Sequence, residues 1–151
     1  MTGAALGSKA DQDTTGGLPA DEIFFYEDAL RQGRTVIIVM ANGATEAERA
    51  QEILAEAGAE SLDAARSAWW IGLRNAESEH YQALGHNFEQ DHDVYRRGFE
   101  AALHRQARGK SYDEAAAYLK SAYPDVWESE GFRAGYARGQ QYHERCSLVR
   151  Q

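Results

Sequence analysis

The run Thr35-Val36-Ile37-Ile38-Val39-Met40 decides how the rest of the chain is read. It is apolar and mostly β-branched, without alternation, which is the pattern of a strand covered on both faces. Asn42-Gly43 marks its end. Upstream, Leu18-Pro19-Ala20-Asp21-Glu22 reads as a helix entrance, because proline is tolerated in a first turn and acids suit the positive end of the dipole. Ile23, Tyr26, Ala29 and Leu30 then fall at helical spacing up to Gly33, a C′ glycine. Downstream, Thr45-x-x-Glu48 is a capping box. Ala47, Ala50, Ile53, Leu54 and Ala57 make the buried stripe of the helix it opens, and Gly58 ends that helix. Residues 59–62 read as a short second strand. The expectation for residues 34–62 is therefore a β-α-β unit with parallel strands, since the helix carries the chain back.

From residue 63 onward only helices are expected. Residues 63–83 form a long one, with Trp69 and Trp70 side by side between two packing partners. Residues 84–93 read as a connector, and residues 94–108 as a helix stopped at Gly109. Ser111-x-x-Glu114 is a second capping box, opening a short helix to about residue 123 that Pro124 breaks. The last helix starts at 126 or 128 and runs to about 146. Residues 1–17, rich in Gly, Ala, Ser, Thr and Asp, read as a flexible tail. The expected fold is α+β and predominantly helical. A tail (1–17) and a small β-α-β unit with a leading helix (18–62) precede a packed bundle of about four helices (63–151).

Three segments echo one another: Trp69-x-x-Gly72-Leu73, Tyr95-x-x-Gly98-Phe99 and Phe132-x-x-Gly135-Tyr136. Glycine inside a helix costs about 1 kcal/mol relative to alanine, so close packing must compensate. Trp69, Trp70, Gly72, Tyr95, Gly98, Phe99, Phe132, Gly135 and Tyr136 are accordingly read as packing or interface residues. Arg96 and Arg133 follow the ring in two copies and suit acids of a neighbouring helix.

The chain of 151 residues is 43% hydrophobic and 26% charged, with a net charge of −8. Such a balance opposes binding to nucleic acid or to an anionic membrane. Residues 1–90 hold 15 acidic and 6 basic side chains, and residues 91–151 hold 9 and 10. No apolar run approaches the ~20 residues of a membrane span, and residues 1–7 lack the basic and apolar regions of a secretory signal. A single cysteine, Cys146, fits a reducing compartment, so a cytoplasmic location is expected.

One cluster suggests chemistry. Glu77-x-x-His80 and Glu89-x-x-His92 share the spacing that puts a carboxylate and an imidazole on one helix face, where a pair of such motifs can hold a divalent transition metal as in ferritin-like bundles. Against it, the two motifs lie only eight residues apart, and surface acids with solvated histidines are the favoured reading. No cofactor is otherwise expected, no catalytic residue is identified, and an enzyme is the less favoured reading. Tyr112, Tyr118, Tyr123 and Trp127 recur around Pro124, either as core or as the lining of a small-ligand groove.

Gly16-Gly17-Leu18-Pro19-Ala20-Asp21-Glu22, Phe25-Tyr26-Glu27-Asp28-Ala29-Leu30, Gly33-Arg34-Thr35-Val36-Ile37-Ile38-Val39 and Ala57-Gly58-Ala59 together resemble the C-terminal half of the heat-induced general-stress (YflT-like) domain of bacteria. The resemblance covers residues 16–62. It implies a bacterial, cytoplasmic, stress-associated protein and transfers no catalytic residue. Family members carry a preceding β-α-β half that has no counterpart in residues 1–15. A lone strand pair leaves two edges open, so a homodimer joined through the strand edges is expected. The function read from the sequence is that of a non-enzymatic interaction protein. A metal-binding helical protein and a small-ligand module are the alternatives.

Overall fold

The structure is a computed structural model that describes residues 4–5, 14–15, 18–19 and 23–148. Six helices carry the described chain: α1 (Ile23–Arg31), α2 (Ala44–Glu56), α3 (Leu62–Ala83), α4 (Phe88–Leu103), α5 (Ala116–Ala122) and α6 (Glu130–Leu148). The chain divides into two compact units, Met1–Asn75 and Ala76–Gln151.

The β-α-β unit is not formed. Residues 34–41 belong to neither helix nor strand. Ile37, Ile38, Val39 and Met40 are 40%, 45%, 45% and 71% exposed. The second expected strand shrinks to Glu60–Ser61, which pairs in parallel with Ala4–Ala5 rather than with residues 35–40. Strand preference expresses the fit of a side chain to a pleated, half-buried surface. Among the described residues no strand pairs with residues 35–40, so that preference is not expressed there. A second two-residue ladder pairs Thr14–Thr15 antiparallel to Leu18–Pro19. Proline 19 therefore sits in a ladder instead of a helical turn, and the other residues of the expected tail lie outside the described residues. The chain is predominantly helical, not α+β.

The first unit is held by aromatic rings. Phe24, Phe25 and Tyr26 of α1 are buried, as are Leu62 and Trp70 of α3. The Trp69 ring lies 5.7 Å from Phe24 and 5.2 Å from Phe25, both edge-on. The Arg66 guanidinium lies over the Phe25 ring, 4.9 Å from its centroid. Edge-to-face pairs of this kind add about 0.5–1.5 kcal/mol each beyond area burial. Helix α1 ends as its sequence implies: Gly33 takes φ 74°, and the Arg34 amide donates to Ala29 O at 2.9 Å. Left-handed backbone there favours glycine.

Helix α2 differs from expectation in two ways. It buries no residue, and its stripe residue Ile53 is 52% exposed. Its capping box does not form either, since Gly43 is the N-cap. Glu46 instead accepts from the Asn42 amide at 2.7 Å.

In the second unit, α4 begins inside the expected connector because Asn87 caps it, its side chain accepting from the Gln90 amide. Asparagine is among the preferred N-cap residues. The Ser111-x-x-Glu114 box does form: Ser111 N donates to Glu114 at 2.8 Å, and Glu114 N donates to Ser111 Oγ at 3.3 Å. It opens a turn that leads into α5. The core here gathers Ala101, Ala102, Ala107, Ala115, Leu119, Phe132 and Tyr136, with Tyr112, Tyr118, Tyr123 and Trp127 packed against it.

Candidate functional site

The centre of the second unit is a seam between α4 and α6, built from the echoed glycines. A Cβ placed on Gly98 would sit 2.0 Å from the Phe132 carbonyl oxygen, and one on Gly135 would sit 2.0 Å from the Tyr95 carbonyl oxygen. The contact is reciprocal. In each helix the glycine three residues after the ring lies on the backbone of the other helix's ring residue. Gly139 continues the seam, 2.4 Å from Phe99 O by the same construction. Backbones this close allow Cα–H···O contacts and dense packing. Tyr95, Phe99 and Phe132 are fully buried beside it, and Tyr136 is 2% exposed.

The third echo behaves differently. Among the described residues, nothing lies within 4 Å of a Cβ built on Gly72. Trp69 and Trp70 of that copy belong to the aromatic group of the first unit.

Beneath the seam lies a buried polar network. Glu77, at the C-terminal end of α3, is 3% exposed. Arg138 of α6 grips it with two bonds, Nε to Oε2 and Nη2 to Oε1, each 2.8 Å. The Tyr95 hydroxyl donates to the same carboxylate at 2.7 Å. Burial by itself raises the Glu77 carboxyl; hydrogen bonds from Arg138 and Tyr95, with the charges of Arg138 and His80, outweigh it and hold the group below the usual carboxylate range. Burial and the bond to Glu77 push the Tyr95 hydroxyl upward. A two-pronged guanidinium–carboxylate pair is the strongest geometry available to these side chains. A second pair ties Tyr81 to Asp91, its hydroxyl donating at 2.8 Å, while the Tyr81 ring stacks on His86 at 4.7 Å.

The metal candidates are dispersed by this arrangement. Both carboxylate oxygens of Glu77 are taken by Arg138 and Tyr95. His80 and Glu89 are exposed, and His92 lies 3.1 Å from Asp93. Among the described residues no group of three or more His, Cys, Asp or Glu side chains is placed to hold a metal ion. The arginines of the echo also part company: Arg96 pairs with Glu100 on its own helix at 2.8 Å, whereas Arg133 lies over the Tyr112 ring. The network of Glu77, Tyr95 and Arg138 was not legible as a set. In the sequence, Glu77 is marked only by its spacing to His80, and Tyr95 only by its ring.

Among the described residues no helix is long and apolar enough to cross a membrane. Neither known family models, nor curated proteins, nor solved structures give a match to the chain.

Proposed function

We propose that this chain is a non-enzymatic, stress-associated bacterial protein that acts by association in the cytoplasm, first of all with a second copy of itself. The observation that carries the reading is the bare segment at residues 35–40. Four consecutive large apolar side chains are 40–71% exposed there. Among the described residues, residues 35–41 make no hydrogen bond. Unpaired backbone beside apolar, β-branched side chains is the substrate of strand addition, in which main-chain bonds give affinity and side-chain pairing gives register. The neighbouring α2, which buries nothing, offers more apolar surface to the same association. The segment carries no charge of its own, so pairing two copies along it sets no like charges directly opposite one another. The resemblance of residues 16–62 to the general-stress domain supports the bacterial, stress-linked part, and the single free Cys146 supports a reducing compartment.

The test is the mass of the untagged protein in solution, beside an Ile38→Pro variant. Proline removes the amide that a ladder needs, while Ile38 N donates to nothing among the described residues. The expected result is a dimer at micromolar concentration for the parent and a monomer of unchanged helicity for the variant. A monomeric parent would remove the reading.

A further inference from the structure

Ser111, Tyr112, Arg133, Tyr136, Ala137 and Gln140 line an open, apolar groove of about 380 Å³ in the second unit. That volume lies at the small end of the range used by low-molecular-weight ligands. At its base two phenol rings stand at right angles, the half-buried Tyr112 and the core ring Tyr136, with centroids 5.1 Å apart. Both are fixed from behind. The Tyr112 hydroxyl donates to the Trp127 carbonyl. The Tyr136 hydroxyl donates to Lys110 O at 2.9 Å and accepts from Gln140 Nε2 at 3.0 Å. Gln140 is held in turn by the Gly109 amide at 3.2 Å. A surface so braced loses little freedom when something settles on it.

Over this base stands a cation without a counterion. The Arg133 guanidinium lies 4.8 Å from the Tyr112 ring centroid. Among the described residues its side chain makes no hydrogen bond or ion pair, whereas its echo, Arg96, is matched by Glu100. The nearby acids leave it so. Glu114 is held by the amide and hydroxyl of Ser111, and among the described residues Glu128 makes no ion pair with Arg133. Residues 91–151 hold 9 acidic and 10 basic side chains, so this half of the chain lacks the strong negative charge of residues 1–90.

We propose that this groove binds a small aromatic carboxylate. The ring lies in the apolar groove against the half-buried Tyr112 and against Ala137, and the carboxylate takes two parallel N–H bonds from Arg133, the geometry in which a guanidinium fork matches a planar anion. The site does not depend on the association of two copies.

The probe is 2-naphthoate, titrated by calorimetry into the full chain, with the uncharged 2-naphthamide as its control. Saturable one-to-one binding of the naphthoate is expected. The amide should bind at least about tenfold more weakly, as loss of a charged hydrogen bond implies. Arg133→Gln should weaken naphthoate binding by the same factor. Arg133 is exposed, so this variant keeps the fold, which its helical circular dichroism verifies. Ile38→Pro should bind as the parent does. Absence of saturable binding, equal binding of the amide, or an unaffected Arg133→Gln overturns the proposal. So does loss of binding in Ile38→Pro, which would put the ligand on residues 35–40.

Discussion

Gly135→Ala is expected to destabilise the protein by about 3 kcal/mol or more, as inserted atoms do in a tightly packed core. The sign is opposite to helix propensity, which favours alanine over glycine by about 1 kcal/mol. Geometry decides which effect wins. The added methyl would lie 2.0 Å from the Tyr95 carbonyl oxygen and 3.0 Å from Phe99 N. These are backbone atoms of a helix, so no side chain can swing away. Helices α4 and α6 would have to separate, loosening Tyr95, Phe99 and Phe132 together. Gly72→Ala supplies the control on the same scale. Among the described residues, nothing lies within 4 Å of its new methyl, so it should stabilise by up to about 1 kcal/mol. Urea unfolding followed by helical circular dichroism measures both. A Gly135→Ala protein as stable as its parent would mean that the seam is looser than described.

That contrast shows how far the sequence could be read. The ring-x-x-Gly pattern was visible three times, and in each case the physical question, what lies over the glycine, could be posed. The answer depends on which helix arrives there. Two copies face one another; the third faces open space. Helix positions were legible because apolar spacing, Gly33 and Gly58 are local signals. The start of α4 was not, because Asn87 stands among mixed acids and histidines with no apolar periodicity beside it to mark it as a cap. Residues 35–40 failed for the opposite reason. Their side chains announce a strand strongly, but a strand is a relation between two segments, and the partner was inferred from topology alone. Likewise the stripe of α2 has helical spacing, yet its residues are at most half-buried and Ile53 is exposed. Glu77 is the clearest case in the candidate site. Its i, i+3 relation to His80 is written locally, while the guanidinium that claims it comes from Arg138, 61 residues away. No spacing rule reaches across that distance.

The same pair provides the second large effect. Arg138→Met should cost about 3 kcal/mol near neutral pH, because it leaves a buried carboxylate without its counterion. Glu77→Gln should cost less, since the Arg138 side chain retains 17% exposure and keeps an amide oxygen to bond. The pH dependence separates this account from simple loss of packing. In the parent, Glu77 is held below the usual carboxylate range. A depressed folded-state pKa contributes stability that is present above the unfolded-state value and is lost as pH falls through the folded one. In Arg138→Met the largest influence, burial, is no longer outweighed, so the folded-state pKa rises above the unfolded-state value. The sign then reverses: the variant gains stability from this group as pH falls and the carboxyl takes up a proton. The gap between the two proteins should therefore be widest near pH 7 and narrow steadily through the acid range. Unfolding free energies measured at several pH values between about 7 and 4 test it. A gap that stays constant across that range would show that Arg138 acts by its bulk, and that the charge it brings to Glu77 is not what holds α3 to α6.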